Sequence, residues 1–372
     1  MTWHPAVPLH IVDERRIRWL VERAWPDTAP GDYVLEVRAP GRAGVRAAHL
    51  RHGRFELVPR DDPGLPSLAA ESHAGEIIAH RAHKRAVLRA DASYIKIFRP
   101  GRAVLAAERC AQMDALLAPD TFAAPRIMRR SRDVLVFSAL RGRTMLEVGK
   151  DQSTVSDESF AQLWAEWARA WTAQLGAPSG AAERSAEAGL PLRSAEVEAA
   201  NLWIWVNRWL RHSENAPEAW FLRDALRARA EEVSTNLLGT APDPLVWAHG
   251  DLHDKQIIGS PGRTPLGLLD FDEAAQAEAA LDLANLDVHL TLRLSQGVLT
   301  PERHRVAHSQ VLVTAGGLQV SPSRFQAYSD STRLRLACLY SFRPRWTSLA
   351  QELLEEQIAG VKDALTMDYP AS

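Results

Sequence analysis

Alternating hydrophobic and polar positions predict a strand-rich first part of the chain. A short helix is predicted first, over residues 14–24. The segments after it are rich in β-branched and aromatic residues, and turn residues such as Pro40-Gly41 and His52-Gly53 separate them. Residues 61–66 (DDPGLP) predict a linker. The predicted strands cover 33–37, 45–50 and 55–58 before that linker, and 76–80, 85–89, 93–98, 126–128 and 134–137 after it.

Apolar residues spaced three and four apart predict helices in most of the remainder. One helix of about 15 residues begins at Arg102, with Val104, Leu105 and Met113 among its apolar positions. A helix rich in tryptophan follows Ser156. Further helices are predicted over 193–212, 220–237, 279–294, 323–340 and 348–365, and a strand-loop-strand segment at about 244–272 interrupts them. The pattern therefore predicts an α+β protein with a β-rich first lobe and an α-rich second lobe.

Composition and charge narrow the class of protein. The length of 372 residues suits two or three lobes. The net charge of −2 does not suggest nucleic-acid binding. The N-terminus lacks the pattern of a secretory signal, and no run of 18 apolar residues occurs, so no membrane span and a cytoplasmic location are predicted. Cys110 and Cys338 are predicted to be free thiols. The oligomeric state stays open between monomer and homodimer.

The densest polar cluster lies in residues 249–256, His-Gly-Asp-Leu-His-Asp-Lys-Gln, between apolar flanks. An apolar strand then ends in Asp270 and Asp272, which share one face because they are two residues apart. Phosphoryl transfer needs a carboxylate for the acceptor's proton and oxygen ligands for Mg²⁺. Asp251 is the candidate catalytic carboxylate, and Gln256 and Asp270 are the candidate metal ligands.

This pattern resembles the aminoglycoside phosphotransferase and choline-kinase-like superfamily, over about residues 70–345. The resemblance implies a two-lobed protein-kinase-like fold that uses ATP and Mg²⁺. Most members have Asn at the position of Gln256. A glutamine there is similar to the maltokinase and glucosamine-kinase branch, which points to a sugar acceptor. The implied division is an N-terminal cap subdomain over 1–70, an N-lobe over 71–140 and a C-lobe over 141–372.

The same resemblance assigns the nucleotide site. It implies a strand lysine that binds the phosphates and forms an ion pair with a glutamate on the next helix. Lys96 and Glu108 match, and Lys96 is informative because the chain has five lysines against 39 arginines. The connection between the lobes, with Ser138 and Leu140, is the expected adenine site. Residues 80–85, which would cover the phosphates, contain no glycine, so cations or a plain basic turn remain the alternatives there.

Supporting roles are expected for His249, His253, Lys255 and Asp272, and Asp282 is expected to tie its helix to the loop. His249 is interpreted as a brace, whereas Lys255 is either a contact of the γ-phosphate or a solvated side chain. Trp203, Trp205, Trp209 and the segment 340–346 either line the acceptor pocket or belong to the core.

The sequence thus predicts a kinase of a small hydroxylated molecule, favouring a sugar or amino sugar as acceptor. The alternatives are an antibiotic phosphotransferase of the aminoglycoside type and a non-catalytic nucleotide-binding pseudokinase.

Overall fold

The computed structural model describes residues 3–118, 120–176 and 186–368. Its first part is an antiparallel sheet in which each strand pairs with the next along the chain. We call this the cap sheet. Its interior packs around Leu35 and Val37 and includes Phe342, from the far end of the chain. The strands are β1 (His10–Val12), β2 (Arg18–Pro26), β3 (Tyr33–Arg38), β4 (Arg46–Arg51) and β5 (Arg54–Leu57).

The second part, the N-lobe, is a five-stranded antiparallel sheet in the order β10-β11-β8-β7-β6. The strand that carries Lys96, β8, lies at the centre of this sheet. Helix α2 packs on the sheet through Ala103, Ala106 and Ala107. The elements, after helix α1 (Leu68–Glu71), are β6 (Glu76–Arg81), β7 (Arg85–Arg89), β8 (Ser93–Phe98), α2 (Arg102–Leu116), β9 (Phe122–Ala123), β10 (Ile127–Arg130) and β11 (Val134–Ser138).

The C-lobe is mainly helical, and a tryptophan-rich core holds it together. Trp164, Trp167 and Trp171 are fully buried, and Trp171 contacts Trp247 edge-on with ring centroids 5.4 Å apart. The elements are β12 (Arg143–Thr144), α3 (Met145–Lys150), α4 (Asp157–Leu175), α5 (Ala195–His212), α6 (Trp220–Gly239), β13 (Leu245–Ala248), β14 (Ile257–Ser260), β15 (Arg263–Leu268), β16 (Ala275–Glu278), α7 (Ala279–Ser295), α8 (Pro301–Gly317), α9 (Pro322–Tyr340) and α10 (Thr347–Asp368).

This architecture confirms the predicted two-lobed α+β fold. The strands before and after residues 61–66 form two separate sheets, and the predicted long helices are present. Among the described residues, none of the helices combines the length and apolarity needed to cross a bilayer. Both cysteines are free, as expected.

Three local predictions are wrong. Residues 14–24 are not a helix, because Arg18–Pro26 pairs on one side with β1 and on the other with β3. Val104 and Leu105 are exposed instead of facing the core. Helix α8 was not predicted. Its first turn buries Arg303, which donates to the carbonyl groups of Val148 and Gly149, and a search for apolar spacing does not register a buried arginine.

Candidate active site

The loop of residues 249–254, which we call the catalytic loop, is held from below by helix α7. The carboxylate of Asp282 accepts hydrogen bonds from the backbone N–H groups of His249, at 2.6 Å, and Gly250, at 2.9 Å. One turn later, the Asn285 amide donates to the Leu252 carbonyl at 2.8 Å. Asp282 is fully enclosed, so these N–H groups have no access to water. The helix therefore fixes the backbone on both sides of Asp251.

A buried ion pair fixes the end of the same loop. Asp254 and Arg293 are both buried, and they bond through two nitrogen–oxygen contacts of 2.9 and 3.1 Å. Bidentate geometry of this kind restrains orientation as well as distance. Together with Asp282 and Asn285, Arg293 makes α7 the support of the whole catalytic loop.

Gly250 is required by the shape of the loop. Its φ is +81°, in the left-handed region that favours glycine. A Cβ atom at this position would lie 2.0 Å from the Glu273 carbonyl oxygen, closer than any packing allows. The loop can therefore approach the segment after Asp270 only with glycine at residue 250.

Asp251 lies at the bottom of the cleft between the lobes. Solvent reaches its side chain, which is 45% exposed, but protein surrounds it on most sides. This desolvation raises the pKa of Asp251 to about 6, while the positive charge of Arg335 acts to lower it. Near neutral pH the group is ionised, and its basicity is well matched to accepting a proton.

The two histidines of the loop have structural contacts. His249 is buried and its Nε2 lies 2.7 Å from the Leu269 carbonyl, while its Nδ1 accepts from the Asp251 N–H at 3.4 Å. His253 accepts from the Lys255 N–H, and burial lowers the pKa of His253 to about 4. The contacts of both histidines are therefore of the kind that stabilises the conformation of the loop. The exposed Lys255 lies outside the lining of the cleft.

Lys96 bonds across the cleft to the end of the strand that precedes Asp270. Its ammonium lies 2.6 Å from Asp270 Oδ1 and 3.4 Å from Asp272 Oδ1. Burial disfavours the charge on Asp270, but Lys96 outweighs it and keeps the pKa of Asp270 below its ordinary value. Asp270 also has a φ of +65°, an unusual conformation for a non-glycine residue and one that occurs often at functional sites.

The predicted ion pair between Lys96 and Glu108 is not formed. Glu108 is exposed on α2 and lines the cleft, whereas the ammonium of Lys96 is taken by the two aspartates. The physical reason is proximity: β8 faces the C-lobe carboxylates directly, and both of these are partly buried.

Gln256 is placed beside Asp270 by the backbone. The Leu269 N–H donates to the Gln256 carbonyl at 2.9 Å, and β14 and β15 pair immediately beyond this contact. Among the described residues, no group of three His, Cys, Asp or Glu side chains is arranged to hold a metal. One or two carboxylates with an amide fit Mg²⁺, which keeps several waters and is otherwise held by substrate phosphates. The donor set therefore suits a metal that arrives with a nucleotide.

Ser138 and Leu140, the two residues expected at the adenine site, have different surroundings. The Ser138 N–H donates to the Arg126 carbonyl at 2.9 Å, which leaves the carbonyl group of Ser138 as its backbone group for contacting a base. Leu140 lies against Gly267 and lines a smaller hollow of about 240 Å³ with Ala123 and Gly142.

The main cleft has a volume of about 930 Å³ and carries more cations than carboxylates. Its carboxylates are Glu108, Asp251, Asp270, Asp272 and Glu273. Its cations are Arg193 and Arg335 from the C-lobe and Arg81, Lys84, Arg85, Arg99, Arg102 and Arg109 from the N-lobe. The sequence motifs did not single out Arg193 or Arg335; in a chain so rich in arginine, their type alone carried no signal.

The cap sheet and its linker hold the turn that overhangs the cleft. We call residues 81–84 the covering turn. Asp62 has no solvent exposure and accepts from His80 Nε2, His83 Nδ1 and the His83 N–H at 3.1, 2.6 and 2.9 Å. The Arg81 guanidinium lies 5.0 Å from the centre of the Trp25 ring in β2. The residues interpreted as a linker thus anchor the turn.

The aromatic residues proposed for the acceptor pocket lie in different parts of the structure. Trp205 lines the cleft beside Asn201 and Ile204. Trp209 is fully buried, and the Trp203 ring donates to the Ser234 hydroxyl at 3.0 Å. From the segment 340–346, Phe342 packs into the cap sheet. Only Trp205 of this set is therefore placed to meet an acceptor.

A sequence profile of the Phosphotransferase enzyme family (APH) matches residues 75–298, more than half of the chain. The chain belongs to this family. As a member of the phosphotransferase enzyme family it is a small-molecule phosphotransferase, and the matched segment contains both Lys96 and the catalytic loop. No curated protein sequence matches the chain.

The chain also matches solved structures of several small-molecule kinases. A macrolide 2′-phosphotransferase type I is 18% identical, with 82% of this chain and 95% of that chain covered and a TM-score of 0.47. A choline/ethanolamine kinase family protein from Mesorhizobium loti is 16% identical, with 83% and 93% covered and a TM-score of 0.45. A glucosamine kinase is 16% identical, with 98% and 96% covered and a TM-score of 0.42.

Proposed function

We propose that this phosphotransferase uses ATP and Mg²⁺ to phosphorylate a hydroxyl group of a small molecule, a sugar or an amino sugar. The observation that carries the proposal is the position of Asp251. Its carboxylate lies at the floor of a large cleft, on a loop whose backbone Asp282 and Asn285 fix, and it shares that cleft with Asp270.

The proposed reaction is a direct transfer. The acceptor oxygen attacks the γ-phosphorus of ATP, the bond from that phosphorus to the bridging oxygen breaks, and ADP leaves. Asp251 accepts the proton of the acceptor hydroxyl. When bound, Mg²⁺ neutralises phosphate charge, and Asp270 and the Gln256 amide are the residues we assign to hold it. Lys96 is assigned to the nucleotide phosphates, because its ammonium stands between these groups and the N-lobe.

The remaining nucleotide assignments follow the geometry. Leu140 is retained as a residue of the adenine site, and Ser138 is retained only through its carbonyl group. Asp272 is assigned to orient Lys96, at 3.4 Å. Glu108 is left out of the phosphate-binding set, because it is exposed and does not contact Lys96.

Replacing Asp251 by Asn tests the proposal. The amide keeps the size of the side chain but cannot take up the proton, so turnover in a coupled assay of ADP release should fall about 10²- to 10⁴-fold. Nucleotide affinity, measured by titration calorimetry with Mg²⁺ and a non-hydrolysable ATP analogue, should stay near the wild-type value. Undiminished turnover in Asp251→Asn would remove Asp251 from this role.

The two alternatives predict different outcomes in the same assay. A pseudokinase would bind nucleotide without releasing ADP for any acceptor. An antibiotic phosphotransferase of the aminoglycoside type would turn over polycationic acceptors faster than sugars. The excess of arginine and lysine in the lining of the cleft disfavours a polycation, because like charges would meet there.

A further inference from the structure

We propose that the acceptor carries an anionic group, a carboxylate or a phosphate, and that Arg335 binds it. The preferred substrates would then be acidic sugars. This inference rests on the proposed function, since it names the acceptor class of the same site.

Arg335 is fixed relative to the catalytic loop. It projects from α9, and its guanidinium donates to the Asn285 side-chain oxygen at 2.8 Å. The amide nitrogen of the same Asn285 donates to the Leu252 carbonyl at 2.8 Å. One asparagine thus ties the guanidinium to the loop that carries Asp251, which sets the distance between the cation and the reacting hydroxyl.

The guanidinium of Arg335 lacks an ionic partner. Of the carboxylates in the described part of the chain, none forms an ion pair with it, and its hydrogen bond goes to a neutral amide. Asp251 lines the same cleft as Arg335, and the negative charges of Glu198 and Asp251 act to raise the pKa of Arg335. Glu198 is already bonded to Arg193, which leaves Arg335 without a dedicated counter-ion.

Arg335 lines the cleft together with Asp251, the residue assigned to the acceptor hydroxyl. Asp251 must contact the acceptor hydroxyl in order to take its proton, and Arg335 is the charged group that most lowers the pKa of Asp251. The groups assigned to the nucleotide, Lys96 and Asp270, are bonded to each other. The charged neighbours of Arg335 belong instead to the C-lobe. An anion that meets Arg335 therefore comes with the acceptor.

The charge balance of the whole cleft supports the same conclusion. Eight cations line it against five carboxylates, and Asp270, Asp272 and Glu273 already contact Lys96 or Arg193. A neutral sugar would offer hydrogen bonds to Arg335 but would leave its desolvated charge uncompensated, which is costly. A carboxylate or phosphate matches the planar guanidinium with two parallel hydrogen bonds.

The test compares matched acceptors with the full-length enzyme. Glucose and glucuronate differ at one carbon, galactose and galacturonate form a second pair, and glucose 6-phosphate supplies the phosphate. Initial rates of ADP release are measured at pH 8, where Asp251 is ionised in every variant, and phosphorus NMR identifies the product. We expect kcat/KM for the anionic member of each pair to exceed that of its neutral partner.

The variants Arg335→Gln and Arg335→Lys assign the preference to this side chain. Arg335→Gln should lower kcat/KM for the anionic acceptors by roughly 10- to 100-fold more than for their neutral partners, through KM more than kcat, so that the preference for the anionic member of each pair is lost. Arg335→Lys should restore part of the loss. The matched control is Arg333→Gln on the same helix, since Arg333 pairs with Asp330 and should show wild-type selectivity.

The outcomes separate the two proposals. Turnover of neutral sugars with no preference for the anionic ones, or a preference that survives in Arg335→Gln, would overturn this inference and leave the kinase function standing. If ADP is released with none of these acceptors while nucleotide binds normally, the proposed function itself fails.

Discussion

The catalytic loop and the covering turn lie on opposite sides of one cleft, and the protein holds them in different ways. The catalytic loop is supported by α7, which begins about 30 residues later in the same lobe and supplies Asp282 and Asn285. The covering turn is supported by Asp62 and by Trp25 of the cap sheet, outside the N-lobe sheet that bears it.

This difference shows how each side of the site is made rigid. The catalytic loop is restricted to one conformation, because two of its backbone N–H groups donate to a buried carboxylate. A fixed position suits Asp251, which must come within hydrogen-bonding distance of a hydroxyl. The covering turn has no glycine and closes the hairpin of β6 and β7, and Asp62 and the cap-sheet residue Trp25 restrain it from outside the N-lobe sheet. Among the described residues of the segment 1–70, Asp62 and Trp25 make these contacts to the turn.

The largest effect is expected from removing the support of the catalytic loop. Asp282→Ala would leave the N–H groups of His249 and Gly250 buried without acceptors, at a cost of about 1–3 kcal/mol each. Displacement of Asp251 should lower kcat by roughly 10²-fold. Denaturant unfolding and steady-state kinetics measure the two effects.

A control on the same helix separates loss of stability from loss of geometry. Asp287 is buried on α7 but pairs with His308, away from the loop. Asp287→Ala should reduce stability and keep kcat close to wild type. Equal losses of kcat in the two variants would mean that Asp282 does not act through the position of the loop.

The next prediction concerns pH, which should affect activity through Asp251 in the catalytic loop and stability through Asp62 at the covering turn. Asp251 must be ionised to act, so kcat/KM should fall about tenfold per pH unit below its pKa of about 6. Asp62 behaves differently: burial disfavours its charge, but hydrogen bonds from His80 and His83 outweigh this and lower its pKa. Its contribution to stability is present above its unfolded pKa of about 3.9 and is lost as the pH falls below that value.

Activity and the contribution of Asp62 to stability should therefore separate at about pH 5. The rate should fall, while the difference in melting temperature between wild type and Asp62→Asn, measured in the same buffers, stays nearly constant, because both proteins share the loss of stability that protonation of the buried His253 causes. In Arg335→Gln the midpoint of the rate profile should move to higher pH, because a charge that lowers the pKa of Asp251 is gone. A profile that is flat from pH 7 to pH 5 would contradict the assignment of Asp251.

The smallest effect is expected from loosening the covering turn. Asp62→Asn loses one carboxylate oxygen that accepts from His83 or His80, and stability should fall by about 1–3 kcal/mol. KM for ATP should rise several-fold with little change in kcat. The matched control is Asp13→Asn, a cap residue that bonds to Ile17 and Trp19 and does not touch the turn. If the KM for ATP is the same in both variants, the contact of Asp62 with the covering turn does not affect nucleotide binding.

Much of the architecture was predictable because it depends on local pattern. The alternation in residues 93–98 gave a strand, and the spacing of apolar residues gave the long helices of the C-lobe. The error at residues 14–24 has a physical cause, since Arg18–Pro26 pairs with a strand on each side, and a local hydrophobic pattern does not register such partners. The missed helix α8 is stabilised by a buried arginine, which a hydrophobic pattern cannot register.

The candidate site was predictable in part for the same reason. Residues 249–256 and Asp270 lie close together in the sequence, so their shared location followed from one motif and the strands beside it. The partner of Lys96 was not predictable in this way. Its ammonium bonds to an aspartate 174 residues further along the chain, and only the packing of the two lobes decides which carboxylate comes nearest.

By itself, then, the sequence determined the two-lobed α+β fold, the membership of a phosphotransferase family and the polar cluster of residues 249–256, because spacing along a strand or a helix encodes them. The tertiary structure decided the pairing of Lys96 with Asp270, the support of the covering turn by Asp62, and the position of the half-buried Arg335 in the same cleft as Asp251. These contacts join residues far apart in the chain, and the packing of whole lobes sets their distances.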